Sequence, residues 1–173
     1  MFRSIITVVL LTVACLFLFG GILNAGTLSD GQNGYSFEYP FNWTGKTFPG
    51  SHDLVKGEMV RDNKTGSQVR VYPNNGSADD FYEWYVTDFM KQMEGHWGGK
   101  MYVLNKEYLN IGGVPCFVVT FDFTRRDTSR WFFKQYLWPR RGNMLVLQAG
   151  TPYEHRQLDE PAFDSIAGSI ELR

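Results

Sequence analysis

From Ile5 to Leu23 the chain runs without a charged residue, behind a single positive charge at Arg3. A short basic region followed by an apolar one is the layout of an export signal. Asn24-Ala25-Gly26 offers a small residue for cleavage after Ala25, although Leu23 sits where a second small residue is preferred. The run approaches the ~18 to 20 residues that span a bilayer as a helix, and Gly20-Gly21 with Thr7 and Thr12 weaken it as a permanent span. Cleavage is therefore favoured over an uncleaved membrane anchor. Lipidation of Cys15 is a third reading, disfavoured because Thr12 is a poor residue three positions before the cysteine and the apolar run continues through Phe19. All three place the remaining chain outside the cytoplasm, with residues 1–25 as signal or anchor and residues 34–173 as one domain.

Beyond this segment the hydrophobic period alternates between two and about 3.6. Tyr35-Ser36-Phe37-Glu38-Tyr39 alternates aromatic and polar residues as a half-buried strand does, and Pro40 ends it. Phe41-Asn42-Trp43 reads as a turn with a large apolar anchor, followed by a Gly- and Pro-rich loop through Ser51. Asp53 to Arg61 and Ser67 to Tyr72 then flank the polar turn cluster Asp62-Asn63-Lys64-Thr65-Gly66, which predicts a β-hairpin. Ser77 opens one long helix: its hydroxyl can cap free N–H groups, Asp80 falls in capping-box position, and Asp79 with Asp80 suit the positive end of the helix dipole. Phe81, Trp84, Tyr85, Phe89 and Met93 form its apolar face, opposite Glu83, Asp88, Lys91 and Glu94. Gly95 and Gly98-Gly99 are the stop signals. An aromatic stripe of this kind is more often core packing than a ligand platform.

Four strands follow at hairpin spacing, Met101 to Leu109, Cys116 to Thr124, Arg130 to Trp138 and Met144 to Ala149, with a Gly112-Gly113 turn between the first two. Phe117-Val118-Val119 and Trp131-Phe132-Phe133 are apolar on both faces, so the sheet must be covered on both sides. Pro152 to Leu158 predicts a short helical turn, Pro161 to Gly168 a second helix with proline near its start, and Ser169 to Leu172 a closing strand. The architecture expected is α+β: a central, mostly antiparallel sheet with one long helix on one face and a C-terminal helix on the other.

Composition changes this picture in two places. Lys and Arg number 17 against 18 Asp and Glu, and loss of Arg3 with the signal leaves 16 against 18, which excludes a nucleic-acid binder relying on surplus positive charge. Aromatics make up 16% of the chain, ample for a core that covers both sheet faces. Of the two cysteines, Cys15 leaves with the signal and Cys116 remains alone in an apolar strand with no neighbouring cation to lower its pKa. It reads as a buried core thiol rather than a nucleophile.

Candidate chemistry is sparse. The sequence has no Gly-x-Ser-x-Gly, His-Glu-x-x-His or Cys-x-x-Cys motif and no phosphate-binding glycine loop. The three histidines, His52, His96 and His155, have no ligand-like spacing and read as solvated, although His52-Asp53 and Glu154-His155 each put a carboxylate beside an imidazole. An enzyme would need a hydrolytic or metal site assembled from dispersed residues such as His52, Asp53 and His96; no cofactor is implied. Arg125, Arg126 and Arg130 share one reversal, while Arg140 and Arg141 lie a strand of ~30 Å away and cannot join them in one anion patch. Asn42, Asn63 and Asn75 begin Asn-x-Ser/Thr sequons that matter only in a eukaryotic secretory route.

The order of parts, with an aromatic strand ending in Tyr39-Pro40-Phe41-Asn42-Trp43, a hairpin, one long helix, a Gly112-Gly113 turn within a meander and a terminal helix running into Ser169-Ile170, resembles the PsbP family and its Mog1-like relatives. The resemblance covers about residues 34–172. It implies an α/β/α sandwich and an exported, non-enzymatic accessory or binding protein whose partner is an envelope protein or a small ligand. Membrane contact would run only through the N-terminal segment. The matching positions Pro40, Trp43 and Gly112 shape turns and fill core, so no catalytic, metal-binding or partner-binding residue is carried over.

Overall fold

The computed structural model describes residues 24–48, 51–56 and 65–173. The apolar segment with Cys15 lies outside them, as does Asn63. Among the described residues ten strands form two antiparallel sheets. In the small one, β1 (Asn24–Asp30) and β10 (Glu171–Leu172) flank β2 (Tyr35–Pro40). The large one contains β3 (Trp43–Phe48), β4 (Ser51–Lys56), β5 (Gly66–Pro73), β6 (Gly99–Ile111), β7 (Val114–Arg125), β8 (Arg130–Arg140) and β9 (Asn143–Pro152), in the order β3-β4-β5-β9-β8-β7-β6. Between β5 and β6 lie α1 (Ala78–Trp84), a π-helical turn (Tyr85–Phe89) and α2 (Met90–Trp97); α3 (Arg156–Gly168) precedes β10.

Both sheet faces are filled, as the doubly apolar strands require. Along β7, Phe117, Val119 and Phe121 pack under α1 and α2 with Phe81, Tyr82, Tyr85 and Met90. The alternate residues Cys116 and Val118 point to the other face, where Phe163, Ile166 and Ala167 of α3 meet Phe132, Tyr136 and Trp138. The small sheet closes the α3 side through Tyr35 and Phe37. This is the expected α/β/α sandwich.

Several elements differ from the sequence reading. β1 begins at the residues taken as the cleavage point, so the paired structure begins before residue 34; its register is regular from Gly26 onward. Trp43, read as a turn, starts a strand instead: its indole is buried 6.1 Å from the Phe163 ring, which draws the polar residues behind it into pairing with β4. The hairpin partner of β5 is β4, so the strand begins at Ser51 rather than Asp53. Gly95 lies within α2, and the helix ends at Gly98, whose φ of 69° is the left-handed conformation suited to a helix stop.

The long helix carries a π turn, and this moves its apolar face. An extra residue in one turn advances the buried position after Tyr85 to Met90, leaving Phe89 and Met93 half-buried. The turn holds Tyr85 over the sheet centre, where its hydroxyl donates to Gln135 Oε1 and accepts from Gln148 Nε2 at 2.6 Å. The C-terminal helix begins at Arg156, five residues before Pro161. Proline is tolerated inside it because the carbonyl it leaves unserved, on Gln157, lies on an exposed residue that solvent can reach. The early start also buries Asp159, whose Oδ2 accepts from Thr65 Oγ1 at 2.6 Å and Thr151 Oγ1 at 2.7 Å, fixing the helix to β9 and to the residue that leads into β5.

Candidate functional site

With both faces filled, the surface that remains open is an edge. Among the described residues β6 pairs with no strand but β7, and residues 102–110 are all exposed. Tyr108 is 70% and Tyr102 59% exposed, and Val103, Leu104 and Leu109 are exposed too. These are five of the eight large hydrophobic side chains exposed among the described residues. The cause is geometric: α1 and α2 centre their buried side chains on β7, β8 and β9, so β6 overhangs.

A β-bulge at Leu104 brings Tyr108 to the same side of the overhang as Val103. Met101 and Val103 stand opposite Phe123 and Phe121, then Lys106 and Tyr108 stand opposite Val119 and Phe117, so one inserted residue reverses the odd–even alternation. Tyr108 leans on Phe117 at 5.0 Å between centroids and on Tyr82 at 5.9 Å, which holds its ring against the body of the fold.

At its Gly99 end, β6 borders a cleft of about 640 Å³ between the last turns of α2 and the end of β7. Lys91, Lys100, Arg125 and Arg126 line it, against one carboxylate, Glu94. Glu94 is already engaged, with Oε2 3.8 Å from Lys100 Nζ and Oε1 accepting the Met101 N–H at 2.7 Å. The Gly98 turn makes this convergence, since it reverses the chain straight into β6 and its carbonyl accepts the Arg126 N–H at 3.1 Å. A smaller apolar recess of about 250 Å³, sharing Lys91 and Glu94 with the cleft, opens along the same seam over Val86, Met90, Met101 and Phe121.

The charges on the α3 face serve a different purpose. Lys134 Nζ lies 2.7 Å from Asp164 and 3.0 Å from Glu160, Arg156 also pairs with Glu160, and the Tyr136 hydroxyl donates to Asp164 at 2.6 Å. Burial and then the adjacent Asp164 carboxylate push the Tyr136 hydroxyl far above its usual range. Each charge has a partner, so the set fastens α3 to the sheet.

The dispersed histidines are not brought together. His52 stands between Thr47 and Val69 in the register of β4, near one side of the large sheet; its side chain and that of Asp53 lie outside the described residues. His96 is exposed at the end of α2, beside β6 on the opposite side. The four strand spacings between β4 and β7 amount to roughly 19 Å. His155 is exposed on a 3-10 turn. Among the described residues no group of three His, Cys, Asp or Glu side chains is placed to hold a metal ion. Arg125 and Arg126 adjoin the cleft, whereas Arg130 pairs with Asp122 and Arg140 binds the Asn33 carbonyl at the far end of β8. Asn42 and Asn75 are exposed.

Cys116 is 2% exposed in the core, and burial pushes its thiol up to about 12. Labelling by a thiol reagent at neutral pH is accordingly expected to proceed only as fast as the protein unfolds; rapid labelling of the folded protein would contradict this.

The β6 surface went unnoticed in the sequence because Met101 to Leu109 looks like one more core strand. The available signal was Asn105-Lys106-Glu107 in its middle, a polar interruption absent from Val118 to Phe121 and typical of an edge.

The architecture defines a class: the chain has the fold of PsbP and Mog1-like proteins. The solution structure of cyanobacterial PsbP (CyanoP) from Synechocystis matches with a TM-score of 0.64 at 19% identity, over 90% of this chain and 96% of that one. The Ran-binding protein Mog1p of Saccharomyces cerevisiae matches with a TM-score of 0.61 at 7% identity, over 88% and 96%. LpqN, involved in cell envelope biogenesis of Mycobacterium tuberculosis, gives 0.58 at 12%, over 85% and 89%. No family model and no curated protein matches the sequence. Among the described residues no helix is long and apolar enough to cross a membrane.

Proposed function

We propose that this chain is an exported, non-enzymatic accessory protein of the cell envelope that binds a protein partner through the β6 edge. The observation that carries this reading is the concentration of exposed apolar side chains on one edge strand, which holds five of the eight large ones exposed among the described residues. The apolar N-terminal segment supports export, and cleavage after Ala25 leaves the regular part of β1 intact. The binding role of Mog1p and the envelope role of LpqN, on the same fold, agree with it.

Site-specific photo-crosslinking in intact cells tests the reading. A crosslinking amino acid at Tyr102 or Tyr108 is expected to give one discrete adduct, and the same group at the equally exposed Leu158 on α3 none. Adducts at all three positions, or at none, would remove β6 from the proposal.

A further inference from the structure

Resting on that reading of β6, we infer that the strand takes its partner by β-strand addition, antiparallel, with a carboxylate at the C-terminal end of the added segment seated in the basic cleft. An edge strand offers outward N–H and C=O groups to any extended peptide. What sets direction here is charge. The Gly99 end of β6 adjoins Lys91, Lys100, Arg125 and Arg126. The opposite end lies near acidic α1: Tyr108 contacts Tyr82, whose hydroxyl is raised to about 12 by burial and then by neighbours that include Tyr108 and Asp79. An antiparallel segment brings its C-terminal end to the cations; a parallel one brings its N-terminal end there.

The recess over Val86, Met90 and Phe121 lies on the same seam and shares Lys91 with the cleft. Alternate side chains of an added strand fall on that face, so the segment best suited carries an apolar residue shortly before its carboxylate. A second copy of this chain fits less well, because symmetric antiparallel pairing of two β6 strands about Asn105 sets Lys100 opposite Asn110 and so brings no carboxylate of the strand to the cleft.

The test uses the full protein and a combinatorial library of N-acetylated peptides of about nine residues, made once with free carboxyl ends and once amidated. Retained peptides should come from the free-acid library, held by the terminal α-carboxylate, with a β-branched or aromatic residue shortly before it. A retained peptide is expected to slow hydrogen exchange in β6. Its affinity should fall about tenfold or more on amidation, or against the K91E/R126E double variant, with K91Q/R126Q between. Equal retention of both libraries, preference for basic peptides, binding indifferent to the double variant, or a dimer that protects β6 without peptide would each overturn the inference. Adducts at Tyr102 and Tyr108 together with failure of the peptide assay would leave β6 as the contact surface and discard strand addition; absence of those adducts discards both.

Discussion

Trp138→Ala is expected to lower the unfolding free energy by about 3–5 kcal/mol, seen as a fall in the urea midpoint at unchanged slope. Trp138 is fully buried in the sheet's α3 face, stacked on Tyr136 at 6.0 Å and 16°, and it also meets Phe37 of the small sheet at 6.0 Å. Truncation therefore opens a cavity at the junction of the two sheets, where the rings around it belong to separate backbone layers and cannot easily close in. Trp138→Phe is expected to cost under about 1.5 kcal/mol, because it keeps a ring in place and removes an indole N–H that finds no acceptor among the described residues. Equal losses for the two variants would show that the ring contacts with Phe37 and Tyr136 are not what holds the sheets together.

That junction also shows where sequence reasoning reached and where it stopped. The doubly apolar strands β7 and β8 demanded helices on both faces, and the structure supplies them, because side-chain alternation is a local property of a strand. The capping of α1 was equally local: Ser77 Oγ accepts the Asp80 N–H at 3.1 Å. The strand at Trp43 was hidden, since it pairs with β4 across residues that read as a Gly- and Pro-rich loop, and the burial of its indole against Phe163 is tertiary. The π turn was hidden too, because the Tyr85–Gln135–Gln148 network that accompanies it is tertiary. For the candidate site the limit was strand order. Arg125 and Arg126 were seen as one turn, but their convergence with Lys91 and Lys100 needs the helix to end at Gly98 against the β6–β7 pair. That β6 rather than β8 lies at the edge is set by pairing across the whole sheet, so an exposed Tyr108 and a buried Tyr136 look alike in the sequence.

Gly112→Ala is expected to cost about 2–4 kcal/mol, and Gly113→Ala only about 1 kcal/mol, in urea or thermal unfolding. Both glycines form the two-residue β6–β7 turn with positive φ, 62° and 78°, so either substitution meets the left-handed backbone penalty. Only the first meets an obstacle as well. A Cβ on Gly112 would lie 2.6 Å from Ile170 Cγ2 and 2.8 Å from the Ile170 carbonyl oxygen, whereas one on Gly113 would point into open space. Ile170 cannot readily withdraw: it is buried at the junction between α3 and β10, and its N–H donates to Ala167 O at 3.2 Å. The hairpin tip thus presses on the segment that delivers β10 to the small sheet, and the closeness is possible because residue 112 has no side chain. Hydrogen exchange separates this contact from the turn's own preference. Gly112→Ala should loosen Glu171 and Leu172 from β2, while Gly113→Ala should leave them protected; identical exchange in the two variants would mean that the approach to Ile170 carries no weight.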